Sequence, residues 1–177
     1  MKSIFSDEIV RRYFVMNTFD GVLTVIGILI ALMLAGVIDT RIIFMSCIGS
    51  GIAMGVSGFW GAYLIERAER KYDIVSKGAK RTKKLIKQNN NISIIISLVD
   101  GLSPFIAMLL LIIPFCCLPV IIAYYISFII AGVMVSFLGV FIARIGRDRV
   151  ILSVLKMLSA AGVVILLIYL LELLKVV

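Results

Sequence analysis

The sequence contains no histidine and only three cysteines. The missing imidazole removes the commonest protein ligand for zinc, copper and nickel. Cys47, Cys116 and Cys117 have no C-x-x-C spacing and read as small apolar filler. Charge is scarce as well: 16% of the residues are charged and 62% are hydrophobic. A soluble domain carries about 25% charged and about 45–50% apolar residues, so that class is excluded. No nucleophile is accompanied by a base, and there is no phosphate loop or cofactor fingerprint. The chain therefore reads as no enzyme and needs no resident cofactor.

What is present is length in apolar runs. About 20 apolar residues cross a hydrocarbon core of about 30 Å. The 177 residues hold five such runs, at about 13–38, 42–65, 92–113, 120–143 and 150–174. The expected fold class is all-α and integral to the membrane, a five-span bundle forming a single membrane domain over 1–177. The first run is too long for the apolar core of a signal peptide and has no A-x-A site, so it reads as a permanent span. A multi-pass protein of the cell membrane follows.

The net charge of +8 is distributed unevenly. Fifteen of the 18 basic residues fall before the first span, in the segment 66–91, or between the fourth and fifth spans. The other side holds only Arg41 and Lys175, and Lys156 lies within the fifth span. Cytoplasmic loops carry the Lys and Arg excess, which predicts a cytoplasmic N-terminus and a C-terminus outside. The basic stretch "KGAKRTKKLIKQ" at 77–88 then faces anionic headgroups, each basic residue contributing about 1 kcal/mol. That placement argues for a lipid partner and against nucleic acid.

Short links, "DTR", "PFCCLP" and "RIGRDR", force antiparallel neighbours. Only 66–91 is long. Its first part, "ERAERKYDIVSK", has no helix breaker, so the second helix is expected to run on past the membrane, with "QNNN" ending the segment before span three. At an offset of 80 residues Asp20-Gly21 falls on Asp100-Gly101, Met54 on Met134 and Arg67 on Arg147. The expectation is a parallel two-helix repeat.

The two Asp-Gly pairs matter most. "FDGVLTVIG" at 19–27 and "VDGLSPFIA" at 99–107 each place a carboxylate near the start of a span. At about 1.5 Å per residue both acids lie roughly 10–12 Å from the predicted helix starts. A charged Asp at the centre of a span costs about 2.5–3.5 kcal/mol, and such residues face the bundle interior and mark ion pathways. The competing reading is that each Asp caps a local helix break, since Gly follows both and Pro104 follows one. Thr24 and Ser103 lie one turn beyond the two acids, on the same faces. Met54 offers a thioether in span two. Carboxylate and hydroxyl oxygens with a thioether suit Fe(II) or Mn(II), so Asp20, Met54 and Asp100 are the candidate metal ligands, with Thr24 and Ser103 beside them. Core packing is the competing role for Met54.

Span two reads "GSGIAMGVSGFWGAYL". Gly51 and Gly55 form one small-residue row, and Ala53, Ser57 and Gly61 form another on a different face. Small rows let helices approach closely. Two of them suggest a central helix, with a second subunit against the outer row. Beyond the span, Glu66, Glu69 and Asp73 lie on one helix face and are candidates to pre-load a cation. Pairing of Glu66 with Arg70 and of Asp73 with Lys77 is the alternative.

"DGVLT" in span one, with "GIAMGVSG" and "YLIERAER" in span two, resembles the vacuolar iron transporter family. So does the five-span layout with its long segment after span two. The resemblance implies a homodimer that moves Fe(II) or Mn(II) as substrate out of the cytosol in exchange for protons, with Asp20 and Met54 at the matching positions. The chain departs from the family's pattern at Ala53, where the family has Ser, and at Gly58, where it has an acid. Its segment 66–91 is basic where the family's is often rich in Glu. The rival readings are a non-transporting scaffold or lipid-binding bundle, and a carrier of another cation.

Overall fold

A computed structural model describes residues 8–76 and 83–174, and gives the backbone alone at residue 70 and over 73–76 and 83–92. Every element described is helical. The order is α1 (Glu8–Leu34), α2 (Thr40–Ser76), α3 (Lys83–Ile112), the short α4 (Pro114–Cys117), α5 (Val120–Gly146) and α6 (Val150–Leu173). Five stretches are long and apolar enough to span a membrane: Glu8–Leu34, Thr40–Glu69, Ser93–Cys117, Val120–Gly146 and Val150–Leu173. Lys2, Lys77, Lys80, Arg81 and Lys175 lie outside the described residues.

The links close by local chemistry. After α1, Gly36 adopts a left-handed φ of 69°, and the Val37 N–H reaches back to the Leu32 carbonyl at 2.9 Å. That is a Schellman closure, and it suits glycine because no Cβ opposes the positive φ. Asp39 then accepts a 2.8 Å hydrogen bond from the Arg41 N–H and caps α2. At the end of α5 the left-handed residue is Arg147, with the Asp148 N–H on the Ala143 carbonyl at 3.0 Å.

"QNNN" at 88–91 precedes the span Ser93–Cys117, and these residues are helical, inside α3, which begins at Lys83. Asn has modest helix propensity, and a helix that continues into a buried apolar face overrides it. The central helix is α1, which packs against α2, α3, α5 and α6, whereas α2 packs mainly on α3. Small-residue rows mark close approach but not centrality, because an outer row leaves its face uncovered. The core gathers Val22, Val25 and Leu29 of α1 with Ile43 of α2, Leu111 of α3 and Val135 of α5. The segment read as a bare link after span three holds α4, whose Phe115 packs edge-on against Tyr124 at 5.1 Å. The Tyr124 hydroxyl donates to the Val37 carbonyl at 3.0 Å, tying α5 to the α1–α2 turn. Cys47 is buried in this core, and Cys116 and Cys117 are exposed. The outermost helix is α6, where only Ala161 is buried.

Candidate functional site

Asp20 and Asp100 both lie inside unbroken helices, so neither caps a break. The following glycines instead let helices touch. A Cβ on Gly21 would stand 2.7 Å from the Pro104 Cα, and one on Gly101 would stand 2.5 Å from the Gly55 carbonyl oxygen and 2.9 Å from the Phe59 Cβ. Gly21 therefore seats α1 on α3, and Gly101 seats α3 on α2. Each Asp-Gly pair combines a crossing point with a carboxylate beside it. The pairing is parallel: Asn17 meets Asp100 and Gly21 meets Pro104, so α1 and α3 run side by side in the same direction.

The two acids differ in environment. Asp100 is 5% exposed, and the Asn17 side-chain N–H donates to its Oδ1. The same Asn17 amide donates to the Tyr13 carbonyl at 3.0 Å, which orients it. Asp20, one turn beyond Asn17 on α1, is exposed on the outer surface of the chain. The two carboxylates are close enough to sense each other's charge.

Gly58 completes the pocket around Asp100. A Cβ there would stand 3.1 Å from the Asp100 Oδ2. The carboxylate from α3 thus fills the space next to the α2 backbone at Gly58. Met54 lies one turn before Gly58 on the same face of α2 and is half-buried. Thr24 is half-buried on α1. Ser103 is buried, but its hydroxyl donates to its own helix at the Val99 carbonyl. It lines a largely apolar groove of about 570 Å³ between α1, α3 and α5, together with Thr18. The structure therefore encloses Asp100 between α1, α2 and α3, leaves Asp20 on the open face of α1, and turns Ser103 toward a different surface.

The proposed loading residues separate. Glu66 is only 5% exposed, and its carboxylate accepts a hydrogen bond from the Tyr13 hydroxyl. Glu69 is exposed, and the side chain of Asp73 lies outside the described part. Glu66 belongs to a polar layer with Tyr13, Asn17 and Asp100 rather than to a solvent-facing stripe. Sequence reading missed Asn17 and Tyr13. Their signal was available: both fall on the helical face of Asp20, at i−3 and i−7.

The small-residue rows also divide. Gly51 meets Phe105 and Met108 of α3, and Gly55 meets Gly101. Gly61 has nothing within 4 Å, and Ser57 is exposed. Around the outer row Ile52, Val56 and Trp60 are exposed, the last at 60%. Among the described residues no three His, Cys, Asp or Glu side chains converge as a metal cluster.

Asn17 is a positioning residue for Asp100, and replacing it tests that. Asn17→Leu leaves a buried carboxylate without its donor, a loss of about 1–3 kcal/mol. Purified Asn17→Leu should aggregate at a lower temperature than wild type in the same detergent, while Asn17→Gln should recover part of the loss. A Leu variant as heat-resistant as wild type would show that the contact contributes nothing.

No family description matches the chain, and no solved structure does. The chain is 31% identical over 173 residues to uncharacterized protein MJ0645 of Methanocaldococcus jannaschii, covering 91% of this chain and 87% of that protein. At that identity and coverage, this chain belongs to the same family as the Methanocaldococcus protein.

Proposed function

We propose that this protein is a cell-membrane transporter that exports a divalent metal cation, Fe(II) or Mn(II), from the cytosol in exchange for protons. The observation that carries the reading is the pair of span carboxylates, Asp100 enclosed and Asp20 open, within electrostatic reach of each other. A carboxylate away from water needs a positive partner, and a proton or a cation can serve. A divalent ion displacing one proton from each acid keeps the charge balanced, and reprotonation on the far side releases the ion. Met54 favours Fe(II) or Mn(II) over Mg(II) and Ca(II), which prefer all-oxygen sites. Asp100 beside Gly58 supports the resemblance to the vacuolar iron transporter family, because it supplies an acid near the position where this chain lacks one.

The reading includes a homodimer. Asp20 is exposed on a span, and lipid against it would cost about 2.5–3.5 kcal/mol. A second copy covering α1 and the open row of α2 brings two Asp20 side chains toward one path. It also supplies the ligands that a single chain does not gather. The reading further places the N-terminus in the cytosol, from the distribution of basic residues, and treats the first and second helix pairs as a parallel repeat.

Purified protein in proteoliposomes tests the proposal, with Fe(II), Mn(II), Co(II) and Ca(II) compared side by side and lumenal pH followed. The expected result is Fe(II) or Mn(II) uptake with opposite proton movement and little Ca(II) uptake. No flux of any of the four ions would return the protein to the scaffold reading.

A further inference from the structure

We propose that the groove between α1, α5 and α6 holds one anionic phospholipid, its phosphate on Arg11 and Arg12 and one acyl chain in the trough beyond. The groove measures about 550 Å³ and sits at the end of the bundle where α1 begins, α5 ends and α6 begins. Its mouth is formed by Glu8, Arg11 and Arg12. Its walls are apolar: Val15, Met16 and Phe19 of α1, Ile142 and Ile145 of α5, and Met157 of α6. Charge lies at one end only, and the rest of the trough follows α1 into the span. That is the shape of a headgroup site continuous with an acyl-chain track.

Charge selects the occupant. Among the described residues that line the groove, Arg11 and Arg12 stand with a single acid, Glu8. The exposed Arg144, Arg147 and Arg149 stand at the same end, with Asp148 as the acid among them. Guanidinium groups bind phosphate oxygens in paired hydrogen bonds, which gives a phosphodiester a specific seat. Arg12 is exposed and lies 6.0 Å from the Tyr13 ring centroid, a packed position from which its head can still turn to the membrane surface. The trough opens beside α6, the helix with the least buried surface, so membrane lipid reaches it without displacing protein.

The test uses full-length protein in detergent, with phosphatidylglycerol or phosphatidylcholine of matched chains added and bound lipid counted by native mass spectrometry. Wild type should retain one phosphatidylglycerol in preference to phosphatidylcholine, and the preference should fall as salt rises. Arg11→Gln/Arg12→Gln should lose roughly tenfold to thirtyfold of that preference, as expected for two basic residues near a membrane surface. Met157→Trp fills the trough without changing charge and should reduce retention of both lipids. If the double variant does not survive purification, Arg12→Gln and the wild-type salt series carry the test. Equal retention of the two lipids by wild type would overturn the proposal. So would an unchanged preference in the arginine variants, or efficient cross-linking of two copies through cysteines at Met16 and Ile145.

Discussion

Asp20→Asn is expected to fold and insert like wild type and to carry essentially no metal. Asn keeps the shape of the side chain and removes its charge. Asp20 is exposed and outside the packed core, so no buried contact is lost. What disappears is the group that accepts either a proton or a cation. Metal-driven proton movement in proteoliposomes should drop by at least about a hundredfold, since a single lost charge–charge contact at low dielectric exceeds about 3 kcal/mol. Asp100→Asn should reduce flux to a similar degree. Its Oδ1 still accepts from Asn17, so the variant should retain the wild-type circular dichroism spectrum and detergent stability. Wild-type Fe(II) or Mn(II) flux in the Asp20→Asn protein would refute the exchange scheme.

Gly101→Ala carries the largest expected structural effect. The new Cβ would sit 2.5 Å from the Gly55 carbonyl oxygen and 2.9 Å from the Phe59 Cβ. The first is backbone and the second lies at the root of a side chain, so neither yields by rotating. Relief requires α2 and α3 to separate, which loosens Gly58 from Asp100 at the same crossing. Overpacking of this kind costs about 3 kcal/mol or more, which for a chain of this size lowers the melting temperature by roughly 6–12 °C. Gly162→Ala is the control: the same change on α6 meets nothing within 4 Å and should not lower the melting temperature. Equal melting of the Gly101 variant and wild type would mean that the crossing is looser than the helix geometry indicates.

The two expectations separate the halves of the Asp-Gly pair. The carboxylate is tied to transport and the glycine to packing. Asp20→Asn should be silent for stability and Gly101→Ala should not. A chain using these acids only to end helices would show neither effect, and the continuity of α1 and α3 through both positions already removes that role.

Hydropathy alone determined the five spans, because crossing a bilayer is a property summed over about 20 residues and survives errors at any one of them. The helices start and stop within a few residues of the expected limits, except where α1 and α3 begin earlier. The equal depth expected for Asp20 and Asp100 was legible only roughly: α1 and α3 begin earlier than expected, and Asp100 stands level with Asn17, one turn before Asp20. Rotation about the helix axis was not legible. Spans that are apolar nearly all round carry no stripe to mark the inward face. The sequence therefore did not reveal that Asn17 turns to Asp100, that Glu66 turns inward to Tyr13, or that Ser103 turns away. It did not reveal that α1 is central or that Gly58 leaves room for a carboxylate from another helix. Those facts depend on which helix lies against which, and only the three-dimensional packing of the bundle, set by backbone approach at Gly21, Gly55 and Gly101, decides them.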